Sequence, residues 1–330
     1  MKYQENMMNT IPSIFNERQI NMTVLGGTEV PSGKKMNISV VLINSLGSHF
    51  RIQMLENLVK CGFKSVVSME PNPNSYNIEE FVSRFPSIRF IVPLEPVTDG
   101  DLINIGMAES CADYVLVVRD SFHLNSSLLT PNLADNIIKS SDNAFCIVPR
   151  LLSCEKQGLP IRFIPYASHS KFRVETESSV YDGMPTLYPF DFIGLYNRQK
   201  FMQLGGFDYT ITSSYWQNLD LAVRAWLWGE KILLSTLFQL EYAGEIPVED
   251  RTVNVSSLRF YLKNLVPKFK EDHGVVPASA FIGYLFRSNS GFFESRKEFL
   301  EARRWIEKNK YRFRMDGSEL IKNWSMGKEK

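Results

Sequence analysis

At 330 residues, 44% hydrophobic and 12% aromatic, the chain can bury a sizeable core in one large domain or two smaller ones, which argues against overall disorder. No apolar run approaches the ~20 residues of a membrane-spanning helix, and residues 1–6 lack the charged-then-apolar layout of a signal peptide, so a cytoplasmic protein is expected. The net charge of +1 hides an imbalance: residues 255–330 carry 16 Lys and Arg against 9 Asp and Glu, a local +7 that leaves −6 for the rest.

Residues 1–36 are polar and rich in Met and Asn, with Gly26-Gly27 and Pro31-Ser-Gly33, and read as a loosely packed leader. Residues 37–44 form a short continuous apolar run, the mark of a strand covered on both faces. A helix is expected from about 49 to 60, with Ile52, Leu55, Leu58 and Val59 on its apolar side. Strand 64–69, short helix 78–84, strand 88–92, helix 100–110 and strand 112–118 follow. Alternation of this kind predicts a parallel sheet with right-handed crossovers, and ligands bind such sheets beyond the carboxyl ends of the strands. That points to Asn44, Glu70 and Arg119-Asp120-Ser121.

Helix 128–139, with Pro131 in its first turns, and strand 144–148 come next. From 149 to 189 the breakers Gly158, Pro160, Pro165, Gly183, Pro185 and Pro189 predict irregular structure or short antiparallel strands beside a cleft. Strand 190–196 and a short helix 198–204 capped by Gly205 lead into the most informative stretch. Strands 231–235 and 238–242 then close the sheet. The remainder reads as helical, over 258–266 and 295–308, with Trp305, Tyr311, Phe313 and Trp324 anchoring it. The expected organisation is a leader over 1–36, an α/β domain with a mostly parallel central sheet over 37–250, and a basic helical extension over 251–330.

In the informative stretch, Ser214-Tyr-Trp-Gln217 has the form of a capping box. Trp216, Leu219, Val223 and Trp226 recur at helical spacing, and Gly229 supplies the left-handed stop. Gln217, Asp220 and Arg224 share one stripe. It reads either as a solvated i,i+4 ion pair or as a polar stripe facing a cleft; a helix this rich in Trp, Leu, Val and Ala favours the second.

The four cysteines (Cys61, Cys111, Cys146, Cys154) contain no CxxC pair, and three sit in or beside apolar runs, so they read as structural thiols. The histidines (His49, His123, His169, His273) are scattered and make no metal site by spacing, although His123 lies three residues after Asp120. The basic tail reads first as a solvated helical face. A surface for lipid headgroups, giving a peripheral membrane contact, or for an anionic acceptor is the alternative. No motif supports nucleic-acid binding.

Three stretches taken together resemble the family 2 glycosyltransferases with the nucleotide-sugar-binding GT-A fold. They are Ile38-Ser-Val-Val-Leu-Ile-Asn44; Gly100-x-x-x-Asn104-x-Gly106 with the strand after it; and Leu204-Gly-Gly-Phe-Asp208 followed by Asp220-Leu-x-x-Arg224 and Gly229. The resemblance spans about 37–245. It implies a GT-A-like sheet and transfer of sugar from a nucleotide-diphosphate donor to an acceptor hydroxyl on a glycan, a lipid-linked glycan or a protein, as in polysaccharide or surface-glycan synthesis. It puts Asn44, Glu70, Asn104, Arg119 and Ser121 on the donor side, with Glu70 near the nucleobase or ribose. It puts Gly205, Gly206, Phe207, Asp208, Trp216 and Arg224 on the acceptor side, and Asp120, Asp220, Gln217 and Asn218 at the catalytic positions.

The chemistry demands a counter-charge for the leaving diphosphate and a base for the incoming hydroxyl. The family meets the first demand with a divalent cation, Mn or Mg, held by an Asp-x-Asp motif. Here that motif is Arg119-Asp120-Ser121, the acidic pair ahead of the helix is Gln217-Asn218, and the expected His is Tyr242. No metal ligand is assigned. Two readings follow: a metal-independent transferase in which Arg119 neutralises the diphosphate and Asp120 or Asp220 is the base, or a catalytically silent relative that binds a sugar, a nucleotide or a partner.

Overall fold

A computed structural model describes residues 18–28, 36–45, 50–70, 78–124, 130–168, 171–288 and 290–326. The Pro31-Ser-Gly33 turn, His49, residues 128–129 and His169 lie outside the described residues.

In chain order the elements are β1 (Met22–Gly26), β2 (Met36–Ile43), α1 (Arg51–Cys61), β3 (Phe63–Met69), α2 (Ile78–Arg84), β4 (Arg89–Pro93), α3 (Asp99–Glu109), β5 (Tyr114–Arg119), β6 (Phe122–His123) and α4 (Pro131–Ser140). Then come β7 (Cys146–Leu152), β8 (Arg162–Ser168), β9 (Lys171–Glu177), a 3-10 turn Phe190–Phe192, β10 (Gly194–Asn197), α5 (Arg198–Leu204), α6 (Ser214–Leu227) and β11 (Ile232–Tyr242). The C-terminal part adds α7 (Val255–Phe260) with a π-helical turn Tyr261–Leu265, β12 (Lys268–Lys270), β13 (His273–Val275), α8 (Ala280–Ser288), α9 (Phe292–Asn309), a 3-10 turn Lys310–Arg312 and α10 (Gly317–Met326). The class is α/β, with a mostly parallel sheet flanked by helices. No described helix is long and apolar enough to cross a membrane.

The chain forms two compact units, one of residues 1–134 and 196–209, the other of 135–195 and 210–330. In the first, the strand order is β1-β4-β3-β2-β5. All neighbours are parallel except β1, which runs antiparallel to β4 from Met22↔Pro93 to Gly26↔Arg89. Residues 18–28 are therefore not a loose leader. Arg18 holds Glu95 at 3.2 Å and Asp101 at 3.5 Å, and the Gly27 N–H donates to the Ile88 carbonyl.

Residues Val40 to Ile43 and Val115 to Val118 are buried throughout, as strands covered on both faces must be. α1 starts two residues later than the sequence suggests and its inward face is rotated: Leu55 and Leu58 are buried as expected, with Arg51, Met54 and Cys61, while Ile52 and Val59 are exposed. α3 opens with a capping box between Thr98 and Asp101. It packs against β2 so closely that a Cβ on Gly106 would stand 2.6 Å from the Val41 methyls, which is why glycine occupies that turn. Of the thiols, Cys61 and Cys146 are buried, but Cys111 and Cys154 are exposed.

In the second unit β7 and β11 pair in parallel. The expected strands 231–235 and 238–242 are one strand, β11, with a register shift between Ser235 and Gln239. The breaker-rich region contains the antiparallel hairpin β8–β9, Arg162↔Glu177 to Ser168↔Lys171. The first half of the expected strand 190–196 is the 3-10 turn, with Asp191 and Phe192 at positive φ. Residues 251–330 belong to this unit. Trp324 meets Trp226 at 4.8 Å between ring centroids, and Trp305 stacks on Trp228 at 6.0 Å. Phe313 is buried beside Trp228, whereas Tyr311 is exposed and is no anchor.

Candidate functional site

The register of the first unit fixes its polar edge. Ile43 stands opposite both Met69 and Arg119. The residues just past the three carboxyl ends, Asn44, Glu70 and Asp120, are therefore neighbours where parallel sheets bind ligands. All three are buried.

Glu70 is no solvated loop acid, since its side chain is fully enclosed. Its Oε2 accepts from Arg51 Nη2 at 2.6 Å, and its Oε1 accepts from Ser68 Oγ at 2.8 Å and Asn44 Nδ2 at 3.2 Å. Arg51 in turn sits over the Phe81 ring at 4.2 Å. Asn44 Nδ2 donates to the Met69 carbonyl as well, while its Oδ1 is buried with no hydrogen-bond partner among the described residues. That leaves an unsatisfied acceptor on the residue just past the end of β2, a costly arrangement in a finished core but a useful one where a ligand N–H or O–H arrives.

Asp120 takes the Ser45 N–H on Oδ2 at 3.0 Å, and its own N–H continues the ladder to the Ile43 carbonyl. Arg119, half-buried, is oriented by Asp99 at the start of α3, with Nη2 to Oδ2 at 2.9 Å. Ser121 follows, also half-buried. His123 is exposed, edge-on to Phe50.

Two motifs far apart in sequence are joined in this unit. The Asn104 side chain mimics a strand: Nδ2 donates to the Phe207 carbonyl and Oδ1 accepts the Phe207 N–H, both at 2.9 Å. The chain reaches that position through Gly205 and Gly206, at φ 87° and 68°. A Cβ on Gly206 would lie 2.5 Å from Asn104 Oδ1. Phe207 and Asp208 are both buried. The Asn104 amide thus holds the Gly205-Gly206 turn in place.

In the second unit α6 is buried nearly all round, not along one stripe. Its N-cap is Ser213, which makes no side-chain cap bond, so the helix begins one residue earlier than a cap at Ser214 suggests; the Gln217 N–H is taken by the Ser213 carbonyl and its side chain is buried. Asn218 Nδ2 donates to the Pro189 carbonyl at 2.6 Å. Trp216 is half-buried with Nε1 donating to the Thr252 carbonyl.

Asp220 and Arg224 are not a solvated pair, with side chains 0% and 1% exposed and a separation of 3.4 Å. Asp220 Oδ2 also accepts from Lys263 Nζ at 2.9 Å and Oδ1 from Asn264 Nδ2 at 2.7 Å. Both cations lie near the Trp305 ring, Lys263 at 5.0 Å and Arg224 at 5.9 Å. Tyr242 ends β11 fully buried.

Sequence reasoning missed Arg51, Ser68, Lys263 and Asn264, whereas Asp99 was one of the two carboxylates, with Asp120, that the sequence offers as a partner for Arg119. For Lys263 and Asn264 a signal existed: two adjacent polar residues inside the apolar run 258–266 require buried partners. For Arg51 the misjudged face of α1 concealed it.

The residues at the strand ends do not fit a divalent cation. Asp120 is the single carboxylate of the Asp-x-Asp position, one of its oxygens is held by Ser45, and the neighbouring Arg119 places a fixed positive charge there. Among the described residues no group of three His, Cys, Asp or Glu could hold a metal ion.

The sequence matches no protein-family model and no curated protein. Among solved structures, GalNAc-T7 with UDP, GalNAc and Mn2+ aligns over 70% of this chain and 48% of its own, at 11% identity and a TM-score of 0.49. S. aureus TarS 1–349 aligns over 83% of this chain and 73% of its own, at 12% identity and a TM-score of 0.47. S. aureus TarS aligns over 83% and 55%, at 11% identity and a TM-score of 0.48. Both are GT-A type glycosyltransferases, and the chain spans about half the length of GalNAc-T7.

Proposed function

We propose that the chain transfers a sugar from a nucleotide-diphosphate donor to an acceptor hydroxyl without a protein-held metal. The observation that carries this reading is the strand-end row of Asn44, Glu70 and Asp120, set side by side by register, with Asn44 Oδ1 buried and unpartnered among the described residues. A row of fixed polar groups around an unsatisfied acceptor is what a ligand with N–H and O–H edges requires. The nucleoside lies over Asn44 and Glu70. Arg119, held by Asp99, meets the leaving diphosphate, for which a planar guanidinium is suited because it pairs with phosphate oxygens and keeps its charge.

Of the two carboxylates put forward as base, Asp220 has both oxygens committed to Lys263 and Asn264. The proton-accepting role therefore goes to Asp120, and Asp220 positions α6. The acceptor is a glycan, a lipid-linked glycan or a protein.

Binding without turnover is the second reading, favoured by the complete burial of both Asp120 and Asp220 and by the amides Gln217 and Asn218 at the other catalytic positions. Calorimetry with uridine and guanosine diphosphate-sugars, with and without manganese, separates the readings. Metal-independent binding, together with donor turnover lost in Arg119→Ala and Asp120→Asn but kept in Asp220→Asn, is expected. Binding that strictly needs manganese would sink the metal-free mechanism. Binding with no turnover against any acceptor tried would leave the silent reading, and no binding of any nucleotide would remove the transferase and favour a silent scaffold for a sugar or a partner.

A further inference from the structure

The second unit carries a half-open cavity of about 580 Å3, a volume typical of small-ligand sites. β9 lends it Lys171 and Arg173, α6 lends Trp216, the segment ahead of α7 lends Arg251, and α8 lends Phe286 and Arg287. No aspartate or glutamate lines it. Arg251 is held by Glu249 at 2.8 Å, while Lys171, Arg173 and Arg287 have no carboxylate partner among the described residues.

Two of these cations are seated on aromatic rings, Arg287 over Tyr261 at 4.2 Å and Arg251 over Tyr215 at 5.3 Å. Arg251 spends its N–H groups on Glu249 and Tyr188, whereas Arg287, seated on its ring, keeps its N–H groups for an anion, and its position costs little further ordering when that anion binds. Trp216 is fixed by its bond to the Thr252 carbonyl. Among the lining residues Phe286 is 84% exposed.

We propose that this cavity binds an anionic sugar unit of the acceptor. Its carboxylate or phosphate pairs with Arg173 and Arg287, and the C–H face of its ring packs on Trp216 and Phe286. A neutral sugar would use the aromatic surface but leave three cations without counter-charge. A bilayer would meet the exposed Phe286 but not the half-buried Trp216 in the same way as a small ring. The inference rests on the transferase reading and names the acceptor's charge.

Calorimetry on the full chain without donor tests it, with tetragalacturonate as the carboxylate probe, mannose 6-phosphate as the phosphate probe and maltotetraose as the neutral one. At least one anionic probe is expected to bind about tenfold or more tighter than maltotetraose. The double variant Arg173→Gln/Arg287→Gln should lose that advantage, while Lys297→Gln/Arg303→Gln, which removes equal charge outside the cavity, should keep it. Which anion binds tighter identifies the group.

Equal affinity for charged and neutral probes, no binding of any, or equal losses in both double variants would overturn the proposal. So would variant-sensitive binding to phosphatidylglycerol vesicles that neither anionic probe displaces, since the cavity would then serve a membrane. Because donor is omitted, failed turnover leaves these outcomes readable. Turnover confined to neutral acceptors would end this inference and leave the transferase reading standing.

Discussion

Replacing Asn104 with alanine should cost the protein about 4 kcal/mol. The two bonds to Phe207 are both 2.9 Å, and both residues are buried. Truncation leaves one backbone N–H and one carbonyl without their partner away from water, at ~1–3 kcal/mol each. That is a large share of the ~5–15 kcal/mol typical of a folded domain, yet it leaves the protein folded. Urea unfolding followed by tryptophan fluorescence measures the loss, and amide exchange at Phe207 reports it locally. A loss under ~1 kcal/mol with Phe207 still protected would refute the clamp.

A second arm uses Gly206. Alanine there must adopt a left-handed backbone, at ~1–2 kcal/mol, and pushes its Cβ against Asn104 Oδ1. Removing Asn104 also removes that obstacle, so the double variant should cost less than the sum of the singles, and strict additivity would show that the two motifs do not meet.

Three further outcomes are expected. Asp220→Ala strands Lys263 and Arg224 as buried charges and should cost ~3–5 kcal/mol by urea unfolding; adding Lys263→Met should recover part of it, and a further loss would contradict the network. Burial pushes the Tyr215 phenol up to about 12, with Arg251 opposing and Glu249 adding, so the folded state holds that proton more tightly. This contribution is complete below pH 10 and is lost as pH rises from 10 to about 12, and Tyr215→Phe should flatten that part of the stability–pH curve. Burial also pushes the Cys61 thiol up to about 11; at pH 8 a disulfide thiol reagent should therefore modify Cys111 and Cys154 quickly and Cys61 and Cys146 only on unfolding.

Much of the first unit was legible because burial on both faces of a parallel strand writes itself as an unbroken apolar run. The expected strand 37–44 is Met36–Ile43, and helices 78–84 and 198–204 match their observed bounds. β1 was not legible. As an edge strand it leaves Thr23, Val24 and Gly26 exposed and buries no residue fully, so its composition is that of a polar leader until Pro93 to Arg89 are seen beside it. The cap expected at Ser214 lies at Ser213 for a related reason: in a helix buried all round, tertiary packing rather than the local cap sets where the helix begins.

The polar stripe of α6 shows why a site can be visible in a sequence while its chemistry is not. Polar residues at helical spacing in an apolar helix announce that a partner exists, and Asp220 and Arg224 did so. The partners Lys263 and Asn264 lie 43 and 44 residues further on, in a turn that local propensity describes only as helix. Once they are in place, a carboxylate that could have faced a cleft is enclosed by two cations, an amide and the Trp305 ring, and proton transfer to it from a bound hydroxyl has no geometric route. The opposite holds at the strand ends, where Asn44, Glu70 and Asp120 needed only the parallel register to be brought together. Register follows from the hydrophobic pattern of each strand and side-chain networks do not, so the strand-end row could be read from the sequence and the role of Asp220 could not.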